Sequence, residues 1–474
     1  MAGSSPGSGP PARAVVAIVL SVSALAIAAA QPASTLPRDP RLNVIVIVTD
    51  DQPPSSFPHD PPVMPRLQAM VDDPDDHWVR FPNAFVGTPL CCPSRASILT
   101  GRYDVNTGVR TNADGARLDP SAAVAAWLRE AGYRTGLVGK YLNGYPFEDE
   151  PLVPFGWDRW LAKKQGAQRT AYHDYVLIDQ GFPVPHGSAP DDYLTDVVAA
   201  EAVDFIRSTP SDRPFFLMLA PTAPHRPWTP AVRHAGAYAG IPTSGPPSVG
   251  EADVSDKPGW VRALPRLSEA RRRQLTDIRR RSFEALLAVD ELMADVISTL
   301  SERGVLERTV IFFLTDNGIS FGEHRWMGKT CPYEECVRTP FLVRMPGAEP
   351  HEDPRLVSNV DLAPTIVELT GVAATTSMDG SSLVPLLEGS PVEWRSGVFL
   401  DYVGDDVHVP GWSAIRTVDH LYVEYVTGER ELYDLTGRLG PPDPFQLRNR
   451  ATDPRYAGLV ARLAAELNRL RPDA

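Results

Sequence analysis

Hydrophobic residues fall along this chain in two kinds of run. Short, largely apolar stretches occur at 43–49 (NVIVIVT), 133–139 (YRTGLVG, with Arg134 and Thr135 inside it), 214–220 (PFFLMLA) and 309–315 (TVIFFLT). The lack of alternation in the first predicts a strand covered on both faces, as in a parallel sheet between helices, and the other three read as strands as well. Helical patterns lie between them. One covers 121–132. The longest covers 268–303, with Phe283, Leu286, Leu287, Met293, Ala294, Ile297 and Leu300 along one face and Gly304 as its stop. Each of the four strands ends in polar residues: Asp50-Asp51-Gln52, Lys140, Pro224-His225-Arg226-Pro227 and Asp316-Asn317-Gly318. Open α/β sheets place their sites beyond the carboxyl ends of the strands, so these residues are predicted to converge.

The pattern changes further along. After an apolar stretch at 362–369, Gly and Ser recur over 379–391 and mark a boundary. Beyond it, 398–402, 413–416, 421–426 and 431–435 read as short antiparallel strands, and 456–470 as a closing helix. The expected architecture is α/β, with a catalytic region at 38–390 and a smaller α+β subdomain at 391–474. The segment 230–265 is rich in Pro, Gly and Ser and reads either as a pocket wall or as a surface excursion. Two arginine triplets, 271–273 and 279–281, sit on the long helix; a solvated face is the expected reading, and a grip on a sulfated polymer the alternative.

Composition narrows the class. A chain of 474 residues with 43% hydrophobic content can bury a large core. Its net charge of −13 argues against non-specific binding to nucleic acid or anionic membranes, so no nucleic-acid or stable membrane partner is expected. An anionic substrate then requires a local cluster of cations. At the N-terminus, Arg13 precedes an apolar run from Ala14 to Ala30 that closes on three alanines. This predicts a signal peptide over 1–30 and an extracytoplasmic, secreted protein; an uncleaved anchor is the alternative. Of the four cysteines, Cys331 and Cys336 are close enough in sequence to bridge. A disulfide suits an oxidising compartment, and two buried thiols are the alternative.

The chemistry centres on Cys91-Cys92-Pro93-Ser94-Arg95, followed by Leu99-Thr100-Gly101-Arg102. The stretch reads as a loop entering a helix, with Pro93 ending any strand and Ser94 capping the following N–H groups. A side chain just ahead of the helix would face unpaired N–H groups, and Arg95 adds a cation with fork geometry. Asp50, Asp51, Asp316 and Asn317 offer only oxygen ligands, which suit a hard divalent cation, calcium or magnesium. Adjacent carboxylates at a strand end repel one another without a cation. Taken singly, each Asp reads as a cap or turn residue.

The C-x-P-S-R and L-T-G-R elements together resemble the signature of the type I sulfatases. The resemblance implies an alkaline-phosphatase-like fold, a large mixed sheet flanked by helices. It also implies that a formylglycine-generating enzyme oxidises Cys91 to formylglycine, whose hydrate attacks sulfur. In such enzymes D-D and D-N pairs bind the metal, here Asp50, Asp51, Asp316 and Asn317, and the oxidised Cys91 completes its shell. Lys140, His225 and Lys329 match the family's sulfate-binding and proton-transfer positions, in the contexts G-K-Y, A-P-H-R-P and G-E-H-R-W-M-G-K. Lys329 follows Asp316 by thirteen residues, similar to relatives acting on sulfated glycosaminoglycans. Arg95, Lys140 and Lys329 are thereby expected to hold the sulfate oxygens, and His225 or Lys329 to protonate the departing alcohol. His324 and Asn143 are candidates for substrate contact.

One departure stands out. Many sulfatases carry a histidine two or three residues after the first lysine, where this chain has Leu142 and Asn143. The base that releases sulfate is therefore open, with Asp316 an alternative. The form G-K-Y-L-N-x-Y and the paired cysteines resemble the N-acetylglucosamine-6-sulfatase branch, which implies a sulfated sugar such as 6-sulfated N-acetylglucosamine. The rival enzyme is a phosphodiester or phosphonate monoester hydrolase using the same aldehyde. A rival from another class is a non-catalytic binder of sulfated glycans that keeps Cys91 as a thiol.

Overall fold

Asn43–Thr49 forms β1, buried along its whole length. Its alternate side chains enter two different cores: Val44, Val46 and Val48 pack on one face of the sheet, Ile45 and Ile47 on the other. A strand buried on both faces needs no polar alternation, which is why its sequence shows none. In this computed structural model the described residues are 1–4, 7, 9, 42–147, 153–164, 172–240, 245–404 and 406–472. The chain divides into Met1–Ser34 and Thr35–Ala474. The apolar run of the expected signal at 1–30 lies outside the described residues. No described helix is long and apolar enough to cross a membrane.

The remaining strands of the main sheet are β2 (Trp78–Arg80), β3 (Arg134–Gly139), β4 (Arg159–Lys163), β5 (Val176–Asp179), β6 (Phe182–Pro185), β7 (Phe215–Ala220), β8 (Thr309–Thr315), β9 (Phe341–Arg344) and β10 (His351–Glu352). Their spatial order is β10-β2-β9-β8-β1-β7-β3-β4-β5-β6. The central run β8-β1-β7-β3-β4 is parallel, and antiparallel strands flank it on both sides. All four strands expected from the apolar runs are present, side by side. The sheet is mixed, as expected.

Helices cover both faces. The first core holds α1 (Cys91–Thr100), α2 (Val124–Glu130) and α5 (Leu362–Thr370). The second holds α3 (Leu194–Ser208) and α4 (Glu269–Glu302). Ser268 caps α4 by accepting from the Arg271 N–H at 3.2 Å. The buried stripe of α4 is broader than the one face read from the sequence. Ala285, Ala288, Val289, Leu292 and Val296 are buried, while Leu287, Ala294 and Ile297 are half-buried. A helix wedged between a sheet and a neighbouring helix buries more than a single seam. The arginines 271–273 are exposed, as a solvated face requires.

The chain ends in a four-stranded antiparallel sheet, β11 (Gly397–Tyr402), β12 (Trp412–Thr417), β13 (His420–Tyr425) and β14 (Arg430–Asp434), followed by α6 (Ala457–Leu470). One face, with Phe399, Ile415, Tyr422 and Leu432, packs on Leu459, Leu463 and Leu467 of α6. The opposite face, with Leu400, Trp412 and Ala414, packs against Phe85, Trp326 and Tyr333. The division drawn at 390/391 falls between a short helix, Val384–Leu387, and β11.

Segment 230–265 is neither of the two things expected of it. Its described residues do not line the cavity described below, and they do more than run over the surface. Trp260 packs edge-on against Trp326 with centroids 5.6 Å apart, and Gly250 N–H donates to the Gly322 carbonyl at 2.7 Å. The segment braces the loop that carries Lys329. Cys331 and Cys336 form a disulfide in the same region, with Cα atoms 5.8 Å apart.

Candidate active site

Asp50, Asp51, Lys140, His225, Asp316 and Asn317 all stand beyond the carboxyl ends of neighbouring parallel strands, around Cys91. Gly139 lets β3 close up on β7 here: its φ is +109°, and a Cβ would collide with the Ala220 carbonyl, which accepts from Lys140 N–H at 2.8 Å. Asp51 takes a left-handed φ of +59°, rare for a residue with a side chain, and its N–H donates to Asp316 Oδ1 at 3.1 Å. That turn aims Asp50 and Asp51 at the same point from consecutive positions.

Cys91 is the first residue of α1, not the end of a loop before it. Pro93 lies within the first turn, where its missing N–H costs nothing. Ser94 is not the cap: its N–H donates to the Leu90 carbonyl at 3.0 Å, and its hydroxyl accepts from Asn359 at 2.9 Å. Cys91 Sγ lies 3.6 Å from Asp50 Oδ1, 3.8 Å from Asp51 Oδ1 and 2.6 Å from Lys329 Nζ. Burial pushes the Cys91 thiol up to about 12 against the pull of Lys140 and Lys329, so an unmodified thiol here stays neutral.

The carboxylates are tightly partnered. Lys140 Nζ donates to Asp50 Oδ2 at 2.7 Å, and Lys329 Nζ to Asp51 Oδ1 at 2.7 Å. Burial alone would raise Asp50, but the Lys140 ammonium, with His225 adding to it, brings it down to about 2. Asp51 is lowered on the same balance, through Lys329 and then His225. Burial opposes the charged forms of Lys140 and Lys329, and the facing carboxylates overcome it and raise both. His225 Nε2 lies 3.5 Å from Asp51 Oδ2, while its Nδ1 faces the Arg226 carbonyl at 2.8 Å.

Arg95 sits behind the carboxylates. Its side chain is buried, with Nε donating to Asp316 Oδ2 at 2.8 Å and Nη1 to the Lys140 carbonyl at 2.9 Å. It is absent from the cavity lining. The guanidinium therefore orients Asp316 and the end of β3 from behind. His324 is also away from the cavity: its ring is fully buried against Tyr333, and Nδ1 faces Glu251 at 2.8 Å. Asn143 does line the cavity, with its side-chain oxygen buried and unpartnered.

A metal fits the donor set. Ligand atoms of Asp50, Asp51, Cys91 and Asp316 all lie within 4.8 Å of one another. Asn317 Nδ2 donates to Asp51 Oδ1 at 2.7 Å, leaving Asn317 Oδ1 buried with no hydrogen-bond partner. A buried carbonyl oxygen left in this way is costly in an apolar interior but suits a hard cation.

The cavity at this edge measures about 1100 Å³. Its walls include groups that the sequence reading passed over. Asn112 accepts from Cys92 N–H at 3.0 Å, and Lys163, Thr222 and Trp228 also line the space. Tyr402, Asp406 and His408 reach it from the C-terminal sheet and the loop after it. Lys163 ends a strand much as Lys140 does, which is the signal that could have found it.

An open α/β sheet flanked by helices, with acidic residues and cations gathered at its carboxyl edge, defines a hydrolase of the alkaline-phosphatase-like fold. Comparison with known proteins narrows this. The Sulfatase family profile matches residues 42–372, and N-sulphoglucosamine sulphohydrolase, C-terminal, matches 322–473. The chain is 34% identical to the N-acetylglucosamine-6-sulfatase of Homo sapiens over 475 residues, covering 88% of this chain and 83% of the relative. It is 26% identical to the N-acetylglucosamine-6-O-sulfatase of Bacteroides thetaiotaomicron, over 91% and 86% of the two chains. A solved structure in complex with its substrate D-glucosamine-2-N,6-O-disulfate superposes with a TM-score of 0.79 at 24% identity, covering 90% of this chain and 97% of the other. The phosphonate monoester hydrolase of Agrobacterium radiobacter gives 0.73 at 22%, over 91% and 95%. The chain belongs to the sulfatase family and is a sulfuric ester hydrolase.

Proposed function

We propose that this sulfatase hydrolyses 6-sulfated N-acetylglucosamine or a related sulfated glycan, after a formylglycine-generating enzyme has converted Cys91. The observation that carries the reading is the seat of Cys91, at a helix start between Asp50, Asp51 and Lys329, within 3.8 Å of each. Relatives of the N-acetylglucosamine-6-sulfatase branch support the choice of sugar. The hydrated aldehyde supplies a hydroxyl that attacks sulfur and a second whose deprotonation expels sulfate, which a thiol cannot do. Asp50, Asp51, Asp316 and Asn317 would hold a divalent ion, calcium or magnesium, which supplies Lewis acidity at that hydroxyl.

The protein's own residues then divide the remaining work. Three carboxylates face Lys140, Lys329 and Arg95, so the side chains nearly neutralise one another. A divalent ion added to that balance leaves net positive charge, matched to a sulfate ester. Lys140 and Lys329 present ammonium groups to the ester oxygens, and Arg95 keeps Asp316 in place behind them. His225, half-buried and lining the cavity, is placed to protonate the departing alcohol. Residues 38–390 form the catalytic region on this reading, 391–474 add the outer wall, and export follows from the leader at 1–30.

Mass spectrometry of active protein tests the proposal. Trypsin should release 81–95, which carries both vicinal cysteines, lighter by the difference between CH₂SH and CHO at one of them. Two intact thiols in a fully active preparation would overturn the mechanism. Relative rates on an aryl sulfate and an aryl phosphodiester separate it from the phosphonate monoester hydrolase alternative, whose fold is shared.

A further inference from the structure

Lys163 is a cation of the cavity lining to which no role has yet been given. It is the last residue of β4 and is 9% exposed. Lys140 and Lys329, by contrast, each sit within 2.7 Å of a carboxylate. Among the described residues, no hydrogen bond or ion pair engages the Lys163 ammonium. Its surroundings disfavour charge: burial, and then the nearby Lys140, push it below the ordinary lysine range. Asp50 offsets this only in part, so an anion arriving in the cavity would favour the charged lysine.

Register fixes where Lys163 points. Gly139 of β3 pairs with Ala162 of β4, so Lys140 and Lys163 occupy the next positions on adjacent parallel strands. Both side chains line the cavity. The carboxyl edge therefore reads, in spatial order, Asp316, Asp50, His225, Lys140, Lys163. At about 4.8 Å per strand, β4 stands roughly 14 Å from β1. The lysine arm shortens that to a gap on the scale of one sugar ring. Two more polar atoms in the same wall, Asn143 Oδ1 and Thr222 Oγ1, are buried without partners.

We propose that Lys163 is a specificity-determining residue, receiving a second sulfate group carried by the same sugar as the ester being cleaved. The proposal rests on the sulfated-glycan reading above. Asn143 and Thr222 contribute neutral polar groups beside it, suited to the sugar hydroxyls. The favoured substrate is on this account a disulfated hexosamine, with one sulfate at the Cys91 end and the other on Lys163.

The test is a selectivity ratio. kcat/KM is measured on N-acetylglucosamine 6-sulfate, N-acetylglucosamine 3,6-disulfate and N-sulfoglucosamine 6-sulfate. The wild type should prefer at least one disulfated sugar by about tenfold or more, chiefly through KM. Lys163→Met should bring that ratio to within about twofold, whatever happens to the absolute rates, and Lys163→Arg should retain it. Lys163→Gln serves if the Met variant melts early. A wild type active on all three without preference, or a preference surviving in Lys163→Met, would overturn the assignment while leaving the sulfatase reading intact. Formylglycine-bearing protein inactive on all three would overturn the sulfated-glycan reading, and this one with it.

Discussion

Asp50, Asp51, Asp316 and Lys140 stand at the ends of parallel strands, while Lys329 reaches the same cysteine from a loop outside the main sheet, just past a two-residue antiparallel pairing of Ser320–Phe321 with Met327–Gly328. The two sides are held by different physics. On the strand side, position follows from the sheet: β1 pairs with β8 through Thr49 and Thr315, so the aspartates that follow them must be neighbours. On the loop side, Gly322, His324, Arg325, Gly328 and Thr330 all take positive φ, which three of them do with a side chain, one β-branched. That backbone persists because its surroundings over-determine it. Trp260 and Glu251 press from one side, and the Cys331–Cys336 bridge closes the chain just after Lys329. A strand-end site is thus inherited from the fold, whereas the loop side depends on its supports.

Cys91 lies where the two sides meet, and the largest expected effect is there. Cys91→Ala should lower kcat by about 10³-fold or more, with melting nearly unchanged. Cys92, whose thiol donates to the Asn143 carbonyl at 3.2 Å, points into the core instead. Cys92→Ala should keep the rate within about tenfold and cost roughly 1–2 kcal/mol of stability. Both variants require a host with maturation activity and the same sulfate ester. A dead Cys92→Ala beside an active Cys91→Ala would put the register of the site wrong.

Metal content separates the sides next. Chelation with EDTA should abolish turnover, and calcium or magnesium should restore it. Asp316→Ala should lose both activity and bound metal, because it removes a donor and strands Arg95 without its partner. Lys329→Ala should keep its metal while kcat falls by about 10²–10³-fold. Metal analysis of the two purified variants reads the difference. Equal metal loss in both would mean that the loop side, too, builds the ion site.

These two sides were also unequally legible in the sequence. Asp50, Asp51 and Asp316 follow dense apolar runs and Lys140 a short largely apolar one, so a local pattern placed them at strand ends and topology did the rest. Lys163 escaped because its strand, RWLAK, is short and mixed, and only pairing with β3 identifies it. Lys329 was reached through motif spacing alone, since nothing in its neighbours' hydrophobicity predicts a loop of left-handed residues. Arg95 was expected at the sulfate through the C-x-P-S-R motif, and His324 was a weaker candidate from the context G-E-H-R-W-M-G-K. Both side chains are buried outside the cavity lining, and burial of His324 rests on Tyr333, nine residues on, and on Glu251, far away in the chain. Ser94 was misread for a similar reason: its hydroxyl is taken by Asn359, 265 residues away.

The disulfide gives a smaller and more local effect. Replacing Cys331 and Cys336 together by serine should leave bound metal unchanged, because the strand side does not depend on the bridge. Release of so short a loop is worth on the order of 2 kcal/mol. The rate should fall about tenfold as Lys329 loses its fixed approach. A double variant with wild-type kcat would show that Trp260 and Glu251 suffice to hold the loop.

The smallest expected effect lies behind that loop and is visible only through pH. Glu251 supports His324, and its carboxyl is pushed by burial from 4.5 up to about 7, with the Lys257 ammonium 3.8 Å away opposing the shift. His324 itself is driven well below its usual value by burial and then by Lys257, so it stays neutral. A protonated Glu251 can therefore donate to His324 Nδ1. The sign follows from proton counting: between 4.5 and about 7 the folded state holds a proton that the unfolded state has released, so stability falls as pH rises through that window. Above it both states are ionised and this contribution levels off. Glu335, raised by burial to about 8, acts in the same direction and carries the decline somewhat higher. Glu251→Gln keeps a hydrogen bond to His324 and removes the titration, so its melting temperature should decline less steeply across the window than the wild type's. The two curves should converge at the acid end, where Glu251 is uncharged in both states. Parallel curves would mean that Glu251 is already ionised throughout, and that Lys257 compensates it fully.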